Sequence, residues 1–289
     1  MGSALRKESA NGSTQQKKTG LGDLPESCVA TVLMNLDPND ICSLAKLNKA
    51  FRGASSADFV WESKLPTNYH QIVEKIFNED DDTDNLPVYS CKKEIYASLS
   101  RVNFMDDGKK MVWLDKSTGG ICMAISVKGL SINGIDDRRY WSHIATQESR
   151  FSSVAYLQQI WWFEINGEVE FPFPEGTYSV FFKLQLGRPY KKFGRQLCNT
   201  EQIHGWDVKP VRFQLLTSEG QRSVSQCFLD GPGQWLHYHA GDFVVKKSEG
   251  FTQVKFSMMQ IDCTHTKGGI CVDSVMIYPS TFKERLKRF

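Results

Sequence analysis

From Met111 to Tyr278 the chain alternates apolar and polar residues with a period of two, which suits strands buried on one face and suits no helix. Tyr178, Val180, Phe182, Leu184 and Leu186 alternate with Ser179, Phe181, Lys183 and Gln185. Val211, Phe213 and Leu215 flank Arg212 and Gln214; Val254, Phe256 and Met258 flank Lys255 and Ser257. The segments 122–127, 161–165, 226–229 and 270–278 read as further short strands. Glycines and polar clusters separate these runs and no helical stretch intervenes, which predicts an antiparallel sandwich rather than a parallel sheet. Aromatic residues make up 12% of the 289 residues and lie mostly after residue 100, as β structure favours.

The first part reads differently. Residues 1–20 are rich in Ser, Gly, Lys and Gln, and predict a disordered, mildly basic tail. Between 21 and 66 the pattern is helical. Asp23, Pro25 and Glu26 supply an acceptor, an early proline and an acid three positions on, a start resembling a capping box. Val29, Val32, Leu33 and Leu36 then form one stripe, and Asp37-Pro38-Asn39-Asp40 repeats the start signal before Ile41, Leu44, Ala45 and Leu47. Phe51, Phe59, Val60 and Trp61 make a third apolar set. So short a helical segment excludes little water by itself, so it either folds onto a neighbour or is completed by a partner. Residues 67–110 read as a connector with two helices, around Ile72 and Ile76 and around Ile95 and Leu99, joined by the acidic stretch Glu79-Asp80-Asp81-Asp82-Thr83-Asp84. That stretch lacks the alternating ligands, central glycine and closing glutamate of a calcium loop. Residues 281–289 predict a solvated basic end.

Composition narrows the partners. Thirty-five Lys and Arg against 33 Asp and Glu leave +2, so no overall field points to nucleic acid. Apolar residues at 40% and charged residues at 24% exclude whole-chain disorder. No run approaches the roughly 18 apolar residues of a membrane span, and Met1-Gly2 is followed by Arg6 where myristoylation wants Ser or Thr. Eight cysteines without a C-x-x-C pair, and no secretory signal at the start, predict reduced thiols in the cytoplasm, the nucleus or both.

Leu24-Pro25-Glu26, Ile41-Cys42-Ser43-Leu44-Ala45 and Phe59-Val60-Trp61 together resemble an F-box over 21–66. The resemblance implies a non-catalytic subunit that binds a Skp-type adaptor and, through it, the cullin and RING subunits of a ubiquitin ligase. Leu24, Pro25, Ile41, Leu44 and Trp61 are the expected adaptor contacts, with Trp61 alternatively bracing the helices.

Four later blocks resemble the phloem-protein-2, or Nictaba-type, lectin domain over 111–280. They are 111–119 (MVWLDKSTG), Leu130-Ser131-Ile132 with 136–141 (DDRRYW), Trp162-Phe163-Glu164-Ile165-Asn166-Gly167, and Trp235-Leu236 with Gly241-Asp242-Phe243. The fold implied by the whole is a small all-α F-box module followed by an all-β, lectin-like jelly-roll sandwich. A sugar needs an aromatic platform for its C–H face and fixed polar groups for its hydroxyls. In this family two tryptophans after the Leu-Ser-Ile strand, with acidic support, take that role. Here Trp141, beside Tyr140, occupies the second position; Gly134 falls at the first and Gln260 replaces the acid. Tyr140, Trp141 and Gln260 are the candidates for binding N-acetylglucosamine oligomers or N-glycan cores, with Trp141 alternatively a core anchor at the base of the loop. Trp113, Trp161 and Trp162 are expected in the core, Trp235 can face either way, and Asp136 to Arg139 form a solvated turn.

Chemistry of the chain's own is not expected. Asp136 and Asp137 are adjacent rather than set across a groove as a glycosidase needs. His237 and His239 share one strand face without a third metal ligand, and Cys263, His265 and Cys271 fit structural thiols near a strand-end turn. No phosphate loop or nucleophile elbow occurs, and no cofactor is expected. The sequence thus predicts a substrate receptor of a ubiquitin ligase. A free carbohydrate-binding protein with a helical cap, and a sandwich that recognises polypeptide instead of sugar, are the alternatives.

Overall fold

The computed structural model describes residues 24–77, 89–246 and 250–282. The expectations for residues 1–20, Asp23, the acidic stretch 79–84 and the basic end after Phe282 fall outside them. The chain divides into two compact units between Trp61 and Glu62.

Among its described residues the first unit holds four short helices, α1 (Glu26–Leu33), α2 (Pro38–Leu44), α3 (Lys49–Ala54) and α4 (Asp58–Glu62), the last ending at the division. Pro25 precedes α1 and Pro38 opens α2, where a missing N–H costs nothing. Asp37 makes no side-chain cap, whereas Asn48, which sequence reasoning passed over, accepts from the Phe51 amide at 2.9 Å and starts α3. Helices α1 and α3 pack together, and Val29, Ala30, Leu33, Ile41, Phe51, Ala54 and Val60 are buried. Trp61 is also buried, its Nε1 donating to the Ser55 carbonyl at 2.7 Å.

Among its described residues the second unit begins with α5 (Tyr69–Phe77) and α6 (Lys92–Leu99) and continues in antiparallel strands, with short 3-10 turns at Val127–Gly129 and Ser280–Phe282. One sheet has eight: β1 (Asn103–Met105), β2 (Lys110–Leu114), β3 (Ile121–Ser126), β5 (Trp141–Ala145), β6 (Ser153–Leu157), β8 (Gly176–Leu186), β13 (Trp235–Val245) and β15 (Ile270–Pro279). Strand β15 is central, pairing with β3, β6 and β8, and all ten of its residues are buried. The other sheet runs in the order β12 (Arg222–Cys227), β11 (Val211–Thr217), β14 (Thr252–Gln260), β7 (Phe163–Phe171) and β4 (Ser131–Ile132). A separate hairpin joins β9 (Arg188–Lys192) to β10 (Arg195–Asn199).

Period two explains how the sheets meet. In β11, Val211, Phe213, Leu215 and Thr217 are buried while the residues between them are not. Phe182 of β8 lies 5.6 Å from the Phe213 ring and 6.0 Å from that of Phe256, so these three rings join the two sheets. Gly167 of β7 is required by this packing, because a Cβ there would fall 2.2 Å from the Phe256 ring. The antiparallel two-sheet domain expected from the sequence is the fold observed.

Candidate functional site

In the helical unit the predicted adaptor contacts separate into two groups. Leu24 and Pro25 are exposed and Leu44 is half-buried, but Ile41 and Trp61 are interior. Ile41 sits in the buried face of α2, and the Trp61 indole is committed to Ser55, so both brace the helices instead of offering a surface. The open apolar side chains are others: Val32 on α1, Leu47 after α2 (67% exposed) and Phe59 on α4 (43%). Their signal was present in the sequence, since Val32 lies on the stripe of α1 yet turns outward while its neighbour Leu33 turns in.

In the β unit the loop after β4 borders a recess, lined by other residues than those predicted. Asn133 donates its side-chain amide to the Trp162 carbonyl at 2.9 Å, tying the loop to the start of β7. Trp161 and Trp162, expected in the core, are 53% and 45% exposed. Both precede β7, which begins only at Phe163, so neither is subject to the inward alternation of that strand. Trp162 Nε1 donates to Glu164 at 2.8 Å, and Asn166 donates to the other oxygen of the same carboxylate at 3.1 Å. These two donors, the Trp162 indole first, hold the Glu164 carboxyl below its ordinary value, so it remains an anionic acceptor. Ser131, Ile132, Asn133, Gly134, Trp162, Glu164 and Asn166 line a recess of about 590 Å³. One exposed ring beside a fixed carboxylate and two amides is the combination a sugar requires.

The residues predicted for that role lie elsewhere. Trp141 is only 2% exposed: its Nε1 donates to the Asn133 carbonyl at 2.9 Å and its ring lies 6.4 Å from Phe163. It anchors the loop from beneath and presents no face for stacking. Gln260 is buried as well, donating to the carbonyls of Lys209 (2.5 Å) and Gly205 (3.3 Å). Tyr140 is half-exposed; its ring would lie 3.1 Å from a Cβ at position 134, where Gly134 holds φ +70°. A side chain added at Gly134 therefore meets both an unfavourable backbone and the Tyr140 ring. Asp137 and Arg139 form the expected exposed turn, paired at 2.7 Å.

Lys267, which sequence reasoning did not single out, supports the tryptophan pair. It is fully buried; its ammonium donates to the Trp161 carbonyl at 2.6 Å, to that of His265 at 3.2 Å, and to that of Asp262. Burial draws its pKa down and the nearby Asp262 charge opposes that shift. Among the described residues no three His, Cys, Asp or Glu side chains gather as a metal site, and no helix is long and apolar enough to cross a membrane.

A helical F-box unit followed by a two-sheet lectin-like domain is the architecture that the comparisons match. The F-box domain model matches residues 21–63 and the phloem protein 2 model residues 120–279. F-box protein PP2-A12 of Arabidopsis thaliana is 63% identical over 286 residues, covering 99% of this chain and 96% of that protein. PP2-A11 of the same plant is 63% identical over 268 residues (92% and 91%), and PP2-A15 is 52% identical over 272 residues (90% and 88%). The chain belongs to the phloem-protein-2 family of plant F-box proteins. At the level of that family it is a substrate receptor of the SCF type, and F-box proteins are in general non-catalytic subunits of their ligases.

Proposed function

We propose that this chain docks a Skp-type adaptor through Leu24, Pro25, Val32, Leu44, Leu47 and Phe59, and thereby joins a cullin–RING ubiquitin ligase in the cytoplasm or nucleus. The observation that carries this reading is the apolar set left open on a unit whose interior is already filled by Leu33, Ile41, Phe51 and Trp61. Water-exposed apolar side chains concentrated on so small a unit mark a surface that another protein covers. The β unit then holds a glycosylated target at Trp162, Glu164, Asn133 and Asn166. Ubiquitin transfer gains from the raised effective concentration of target lysines, while the chemistry belongs to the partner subunits.

Two measurements test the two halves separately. In co-purification with a Skp-type adaptor, Leu24→Ala/Pro25→Ala and Leu47→Asp/Phe59→Asp are each expected to weaken recovery roughly 30-fold, the effect of losing about 2 kcal/mol at an interface centre. Undiminished recovery of both variants contradicts the docking face. In titration with N-acetylglucosamine oligomers, Trp162→Ala is expected to lower affinity about tenfold without moving the melting temperature, since the ring it removes is half-exposed. Sugar binding with no adaptor recovery would favour a free lectin.

A further inference from the structure

The face of the eight-stranded sheet turned away from its partner sheet carries a cleft of about 970 Å³, which shares no lining residue with the recess beside Trp162. Phe182 points between the sheets, so its neighbours Phe181 and Lys183 point to this other face. Register sets His237 opposite Lys183 and His239 opposite Phe181, and sets Met276 opposite Phe181 from the other side. Trp235, partly exposed, adds ring surface, whereas Phe181, Met276 and Tyr278 are each only 4% exposed and form the packed base of the cleft.

The polar groups of this cleft are built in. The register of β15 shifts between Val272 and Ser274, and both Asp273 and Ser274 reach the cleft lining, as a bulge allows by re-aiming one side chain. Asp273 is 2% exposed and accepts from the Lys183 ammonium at 2.9 Å and from the Ser149 hydroxyl. Lys183 also donates to the Glu148 carbonyl at 3.1 Å and lies 5.2 Å from the Trp235 ring centroid. Trp235 Nε1 donates to the Glu148 carboxylate at 2.9 Å. Burial, reinforced by Lys183, lowers the His237 pKa and keeps that ring neutral, although Asp273 opposes the shift.

These features select a ligand class. Lys183 and Asp273 answer each other's charge, and the other charged lining residues, Glu148, Arg150 and Asp230, are of mixed sign, so the cleft offers an ionic ligand no field of one sign. An extended peptide gains its main-chain hydrogen bonds from a strand edge; at the floor of the cleft β8 is paired on both sides, with β13 and β15, and the edge strand β13 enters the lining through the side chains of Trp235, His237 and His239. The cleft thus offers the ring of Trp235, the partly exposed imidazoles of His237 and His239, and oriented side-chain donors and acceptors, and its size lies within the range of small-molecule sites. We propose that this cleft is a second carbohydrate site, specific for short neutral oligosaccharides and independent of the loop beside Trp162.

His237 and His239 report on it directly. The imidazole proton resonances of the full chain, assigned with His237→Gln and His239→Gln, are followed while chitotetraose, mannotetraose and a β-1,4-galactotetraose are each titrated to millimolar concentration. At least one sugar is expected to shift both resonances saturably, in the parent chain and equally in Trp162→Ala. Trp235→Ala should weaken that response about tenfold, the loss of one stacking ring; Lys183→Gln serves as the second variant if Trp235→Ala does not fold. No shift with any of the three sugars, a shift abolished by Trp162→Ala, or a response confined to a charged tetrapeptide would overturn the proposal.

Discussion

Trp61→Ala is expected to unfold the helical unit while leaving the β unit folded. The indole is 2% exposed, and truncating a buried aromatic ring costs roughly 3–5 kcal/mol. The substitution also removes the donor that Trp61 Nε1 supplies to the Ser55 carbonyl. A unit of this size has little stability in reserve, because small domains bury a small share of their surface. Backbone amide exchange is the suitable measurement. Protection across α1 to α3 should vanish in the variant, while β8 and β15 keep theirs. Unchanged protection in the helices would mean that Trp61 is peripheral, contrary to its burial. The same result distinguishes loss of adaptor binding through unfolding, in Trp61→Ala, from loss through a changed surface, in Leu47→Asp/Phe59→Asp.

Lys267→Met should have a comparable effect on the β unit. Methionine keeps most of the length and loses the ammonium, so the carbonyls of Trp161, Asp262 and His265 lose their shared donor. Each of these part-buried carbonyls left unpaired costs about 1 kcal/mol, and a total near 3 kcal/mol corresponds to a fall of roughly 10 °C in a domain of this size. The main-chain pairing between Ile160 and Lys267, at 2.8 Å in both directions, does not depend on the side chain and should persist. The local consequence is release of the Trp161 carbonyl and therefore of the Trp161–Trp162 pair. Near-ultraviolet circular dichroism should lose tryptophan fine structure along with the lowered melting temperature. A variant that melts with the parent and keeps its tryptophan signal would remove Lys267 from the account of the site.

The strands were legible wherever one face is buried and the other wet. Val211, Phe213 and Leu215, or Val254, Phe256 and Met258, point inward as their spacing requires. The helix starts at Pro25 and Pro38 were legible for the same local reason, a fixed φ and a missing N–H. The loop after β4 was not, because near a strand end a shift of one residue exchanges the two faces. Trp141, read as either a platform or a loop anchor, is the anchor, and Trp161 and Trp162, read as core, are surface. Gln260 shows the same limit at the other end of its strand: it turns inward to the carbonyls of Gly205 and Lys209. The β9–β10 hairpin went unread since Arg188 to Asn199 shows no apolar alternation. Its one signal was the turn, where Phe193 (φ +52°) and Gly194 (φ +75°) take the left-handed conformation that tight hairpins need. Lys267 could not be found from sequence at all, because its acceptors come from two separate loops.

Membership of a ligase depends on the apolar side chains that the helical unit leaves open to a second protein. Isothermal titration of the full chain with a purified Skp-type adaptor, repeated at several temperatures, measures that contact. A saturable complex whose heat capacity of binding is negative, and which disappears with Leu47→Asp/Phe59→Asp, is the predicted result. Absence of any complex with the parent chain, or a complex indifferent to those two charges, would contradict it.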